Sequence, residues 1–144
     1  MLDFACCRLS SLPKELGELS GLTVLHLVRN KNLGNAPQGK AFSAELGKMK
    51  SLRLLDLAFC GLRIVPTFVS GLESLEILGL SRELQVDAAT FDVPIEGCPR
   101  LREVELHKKS DEAPWTPEAL AHLEAFKAKL LAKKPNAGVW HAAL

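Results

Sequence analysis

Apolar residues recur along the chain in two phases. In the first, alternate positions are apolar, as in Leu25-His-Leu27, Leu55-Asp-Leu57, Leu78-Gly-Leu80 and Val104-Glu-Leu106. Period two sends successive side chains to opposite faces, so each stretch predicts a short strand with one buried face. In the second, the period is near three. Leu9, Leu12, Leu16, Leu19 and Leu22 follow this spacing, and Leu62, Val65, Val69, Leu72 and Leu75 repeat it. That spacing suits a helical or 3-10 turn.

The two phases alternate, and the combined unit repeats. Leu22-Thr-Val-Leu25-His-Leu27-Val-Arg-Asn30 aligns with Leu52-Arg-Leu-Leu55-Asp-Leu57-Ala-Phe-Cys60 and with Leu75-Glu-Ile-Leu78-Gly-Leu80-Ser-Arg-Glu83. Leu101-Arg-Glu-Val104-Glu-Leu106-His-Lys-Lys109 follows, and a truncated copy opens the chain at Leu2-Asp-Phe4. Successive equivalents of Leu2 lie 23, 30, 23 and 26 residues apart at Leu25, Leu55, Leu78 and Val104. Pro13 and Pro66 keep the same phase between the strands. One such unit cannot bury both of its apolar faces, but stacked units share a continuous core. Asn30 and Cys60, just past the strands, are expected to bond the turning backbone from inside, and Cys7 takes the same place in the first unit.

The pattern L-x-x-L-x-L-x-x-(N/C) with L-P-x-x-L-x-x-L resembles the leucine-rich repeat family, in its intracellular form. The resemblance covers residues 1 to about 109. It implies an α/β fold, a right-handed leucine-rich repeat solenoid. A curved parallel sheet would line the concave side, with helical or 3-10 turns on the convex side. One domain is expected over residues 1–144, with repeats at about 1–21, 22–51, 52–74, 75–100 and 101–113. A C-terminal helical cap would occupy 114–144. Thr116-Pro117 reads as its helix start. Leu120, Leu123, Phe126, Leu130 and Leu131 give the helix one apolar face, and Gly138-Val-Trp140 reads as a closing strand. Asn32 to Gly39 is read as an inserted loop. Glu83 and the stretch Val86 to Val93 depart from the repeat. No counterpart of the cap precedes Leu2, Phe4, Leu9 and Leu12, so self-association through the first repeat is a second expectation.

Charge changes the picture by exclusion. Lys and Arg number 18 against 17 Asp and Glu, for a net charge of +1. A near-neutral chain lacks the field that draws proteins onto nucleic acid, so nucleic acid is not an expected partner. Arg100, Arg102, Lys108 and Lys109 cluster near the last repeat, but nearby Glu103 and Glu105 dilute them. No apolar run reaches the roughly 20 residues of a membrane span. The cysteines Cys6, Cys7, Cys60 and Cys98 have no Cys-x-x-Cys spacing. A cytoplasmic, reducing setting fits them.

Candidate chemistry lies on the outward strand positions. These are Asp3, Ala5 and Cys6, then Val24, His26, Val28 and Arg29, then Leu54, Asp56, Ala58 and Phe59. Ile77, Gly79, Ser81 and Arg82 follow, and then Glu103, Glu105, His107 and Lys108. Cys7 is expected to point inward. Of this set, His26, Val28, Arg29, Asp56, Phe59, Arg82, Glu103, Glu105 and His107 form the expected binding surface. Aromatic and arginine side chains are typical anchors, so Phe59 with Arg29, His26 and Arg82 around it is read as the contact centre for another protein. The competing interpretation is a solvated strand face, since single exposed apolar residues are common. His26 and His107 stand three strands apart, too far to share one ion. No phosphate loop, dinucleotide fingerprint or nucleophile elbow is present, and no enzyme, cofactor or metal is expected. The expected function is a protein–protein interaction module in intracellular signalling. The alternatives are a substrate-recruiting subunit of a ubiquitin ligase or phosphatase complex, or part of a larger repeat receptor.

Overall fold

A computed structural model describes residues 1–36, 41–81 and 97–107, together with residues 117, 121, 124, 125, 128, 131 and 132. Those last seven are helical and exposed. The remainder of the expected cap, the segment 82–96 with Arg82 and Glu83, and Lys108 and Lys109 lie outside the described residues.

The architecture is a five-stranded parallel sheet with 3-10 turns between strands, compatible with an α/β fold. The strands are β1 (Leu2–Asp3), β2 (Val24–His26), β3 (Leu54–Asp56), β4 (Ile77–Ser81) and β5 (Glu103–His107), adjacent in chain order. Leu2 pairs with Leu25, Leu25 with Leu55, Leu55 with Leu78, and Leu78 with Val104. Leu25, Leu55, Leu78 and Val104 are fully buried, and so are Leu27, Leu57, Leu80 and Leu106 to within a few per cent. Each such leucine is worth about 1.5–3 kcal/mol relative to exposure.

The turns opposite the sheet are Lys14–Glu18, Ala44–Lys48 and Thr67–Gly71. Their N–H groups bond three residues back: Leu16 to Pro13, Leu46 to Ser43 and Val69 to Pro66. The same step recurs at Leu19, Met49 and Leu72, then at Leu22, Leu52 and Leu75. This is the period of three read in the sequence. Pro13 and Pro66 precede their turns with φ of −64° and −61°, the value the proline ring fixes. In the second unit Ser43 stands there instead, and its hydroxyl accepts from the Glu45 N–H at 3.2 Å.

Polar side chains close the coil from inside. The buried Asn30 amide donates to the Phe4 carbonyl at 2.8 Å and the Leu27 carbonyl at 2.7 Å. Its oxygen accepts from the Leu9 N–H at 3.0 Å. One side chain thereby satisfies backbone groups of two units. Cys60 does part of this one unit later, its thiol donating to the Leu27 carbonyl at 3.0 Å. Cys7 departs from expectation. It is exposed, and its thiol reaches only the Ala5 carbonyl of its own turn, at 3.4 Å. No described coil stacks ahead of it to offer a carbonyl.

The region read as an inserted loop begins with a helical turn, α1 (Asn32–Asn35). The reason is packing: Leu33 is buried and seals the core. Gly34 makes the approach feasible, since a Cβ there would stand 2.0 Å from the Gly61 carbonyl oxygen. The rest of that insert, residues 37–39, lies outside the described residues.

On the surface just before β3, β4 and β5 runs a short ion ladder. Glu76 accepts from Arg53 at 2.7 Å and from Arg102 at 3.3 Å, so Arg102 is engaged within the fold. The Arg53 hydrogen bond holds the Glu76 carboxyl below the ordinary glutamate value, outweighing desolvation, and Arg102 adds to it.

Two outcomes follow from this packing. Asn30→Ala strands buried backbone groups, each costing ~1–3 kcal/mol. Its unfolding free energy from urea titration is expected to fall by roughly 3 kcal/mol, with Asn30→Cys between the two; an unchanged value would remove Asn30 from the account. Because the Glu76 pKa is lowered on folding, its contribution is present above the ordinary glutamate range and is lost as pH falls through the depressed value. Acid titration is expected to destabilise wild type more steeply than Glu76→Gln, with the gap shrinking in high salt. Equal slopes refute the ladder's role.

Candidate functional site

The sheet has one face against the leucine core and one open face. Because the strands are in register, equivalent positions form rows across the open face. Val24, Leu54 and Ile77 make a half-buried apolar row ahead of Glu103. The next row runs Asp3, His26, Asp56, Gly79, Glu105. The third holds Ser81 beside His107.

Beyond the strand ends the chain bends through left-handed residues. Cys6, Arg29 and Phe59 have φ of 58°, 61° and 56°. All three lie four residues past the central leucine of their unit. Non-glycine residues seldom take this conformation, at a cost of roughly 1–2 kcal/mol each. The N–H of Arg29 bonds the Ala58 carbonyl, and that of Phe59 donates to the Ser81 hydroxyl. The bends are therefore tied to the neighbouring unit, which holds their side chains at the face.

Arg29, Phe59 and His107 meet, although they come from the second, third and fifth units. The Arg29 guanidinium lies 6.0 Å from the Phe59 ring centroid. The His107 ring centroid lies 6.3 Å from it, tilted by 57°. His107 Nε2 is 3.2 Å from a Glu105 carboxylate oxygen on the same strand. Small residues on β4 open the way: Gly79 and Ser81 stand between β3 and β5 with no long side chain to obstruct the ring.

His26 and Asp56 form a second pair, Nδ1 to Oδ2 at 3.9 Å. The other Asp56 oxygen accepts from the Ala58 N–H at 2.9 Å. Asp56 also leans over Gly79. A Cβ at 79 would lie 2.5 Å from Asp56 Oδ1 and 2.8 Å from its Cγ. The glycine thus makes room for the carboxylate.

Of the nine residues expected at the site, Arg29, Phe59, His107 and Glu105 form one cluster and His26 and Asp56 another. Val28 and Glu103 sit on the same face without joining either. Arg82 lies outside the described residues. Three positions read as outward are buried: Ala58, Gly79 and Ser81. Ser81 is drawn in as acceptor for the Phe59 N–H, and Ala58 lies under the Asp56 turn. The role of Gly79 was missed, because the outward register counts positions and says nothing of a neighbour filling an absent side chain. The left-handed bends carry no glycine or asparagine signal at residues 6, 29 and 59, so they too were silent.

Among the described residues no three His, Cys, Asp or Glu side chains converge as a metal site. No helix among them is long and apolar enough to cross a membrane. No protein-family model matches the chain, and no curated protein matches it in sequence.

Proposed function

We infer that the chain is a non-catalytic, protein-binding module of the leucine-rich repeat type, a right-handed solenoid with a C-terminal helical cap. It recognises a protein partner through its concave strand face in cytoplasmic signalling. The observation that carries this is the Arg29–Phe59–His107 cluster. An aromatic ring is held on the open face with a guanidinium and an imidazole beside it, by two strained, tethered bends. Local strain of this kind clusters at sites of function, and Arg with aromatic residues dominates interface energetics. The parallel register of four leucine-type positions and the buried Asn30 and Cys60 support the repeat assignment. Two adjacent exposed thiols, Cys6 and Cys7, suit a reducing compartment.

Self-association through the first unit is the second reading. Leu19 is 42% exposed, whereas its equivalents Met49, Leu72 and Cys98 are buried. Leu2, Phe4 and Leu9 are only partly covered, and β1 has no neighbour on its outer edge among the described residues. Unpaired strand edges and apolar patches invite pairing.

Affinity capture from cell extract with wild type and with Phe59→Ala/Arg29→Ala tests the first function. A distinct partner set is expected with wild type. The folded double variant is expected to lose about 2 kcal/mol or more of binding, as anchors do. Full retention by a variant with a wild-type circular dichroism spectrum would sink the face as the contact surface. For the second reading, sedimentation over a concentration series is expected to show a dimer that Leu19→Glu abolishes; a monomer throughout discards it.

A further inference from the structure

The open face has a chemistry more specific than a generic contact surface. Its acidic side chains are Asp3, Asp56, Glu103 and Glu105, and its one strongly basic described side chain, Arg29, lies at the far end against Phe59. Asp56 and Glu105 flank β4 in one row, with Gly79 between them in register. Asp56 leans over the glycine, and both carboxylates remain accessible, with side chains 18% and 35% exposed. Each has a histidine beside it, His26 at 3.9 Å and His107 at 3.2 Å, and among the described residues no lysine or arginine pairs with either carboxylate. Along β4, two residues before Gly79, lies Ile77, continuing the half-buried apolar row Val24–Leu54–Ile77.

Two positions along a strand are separated by about 6.6–6.8 Å. An extended ligand running alongside β4 presents its own side chains at that same spacing on one face. Resting on the binding function inferred above, we propose that the partner of this face is an extended peptide segment with a Lys or Arg two residues from an apolar side chain. The cation sits on the solvent side of the Asp56 carboxylate that covers Gly79, between it and Glu105, and the apolar side chain sits on the Leu54–Ile77 row. Charge complementarity selects this occupant: an acidic segment would place like charge against Asp56, Glu103 and Glu105, which is unfavourable. The row spacing selects the pattern, apolar-x-basic or its reverse. Phe59 bounds the site beyond Ser81.

A displayed library of random short linear peptides, panned on the full chain, tests this. Enrichment of peptides with the two-residue apolar–basic spacing is expected. Their synthetic versions are expected to bind Asp56→Asn/Glu105→Gln at least about tenfold more weakly than wild type, as loss of close charge complementarity does. Asparagine retains an oxygen for the Ala58 N–H, so the variant keeps its local turn. Glu105→Lys alone is expected to shift enrichment toward acidic peptides, which gives a gain-of-binding readout that misfolding cannot imitate. Peptides that require Phe59 and Arg29 but carry no basic residue, or ignore the Asp56→Asn/Glu105→Gln change, overturn the proposal and leave the binding face standing. Recovery of no peptide that depends on Phe59, Arg29, Asp56 or Glu105 overturns both.

Discussion

Parallel pairing of identical positions is the constraint on which the rest depends. Leu25, Leu55 and Leu78 stand side by side with Val104, and every other side chain along the strands inherits its direction from that alignment. A slip of one residue would send the leucines to solvent and the carboxylates to the core. Burying a parallel sheet edge by edge also strands backbone groups where the chain turns. Asn30 answers that need by bonding the carbonyls of two units and the Leu9 N–H. Cys60 donates to the Leu27 carbonyl from the equivalent position, so the position accepts a small buried donor other than asparagine.

Most of the fold was legible because two periods alternate. Leu-x-Leu marked the strands, and the three-residue spacing marked turns whose N–H groups bond three residues back. Both signals come from local geometry, and both repeat, so chance is suppressed. Where a single feature decided the outcome, the sequence was weaker. Asn32–Asn35 carries a glycine and reads as loop, yet Leu33 pulls it into a helical turn against Gly61. Cys7 reads as inward by phase but is exposed, because phase counts positions within a unit and cannot supply the neighbouring coil that buries them.

The open face of the sheet was legible as a set of positions and illegible as an arrangement. Register set His26 three strands from His107, and the structure has that separation. It did not bring Phe59 to His107, because that contact spans two strands and depends on what β4 lacks. Glycine and serine at 79 and 81 let a ring on one strand reach an imidazole two strands away. The left-handed bends at Arg29 and Phe59 were equally hidden, since neither residue type announces a positive φ.

Rows across an in-register sheet separate the chemistry of the open face from the stability of the core. An outward residue can change without touching the leucines behind it, so each unit contributes one independent letter to every row. Position 79 is the exception. A side chain there would press on the Asp56 carboxylate, which also accepts the Ala58 N–H that shapes the turn into Phe59. One glycine therefore couples the acidic row to the aromatic cluster: adding a Cβ would push Asp56 back toward His26 and disturb the turn from which Phe59 projects. The side chains of this face are independent along most of its rows and coupled at β4, where the shortest side chains leave the most to their neighbours.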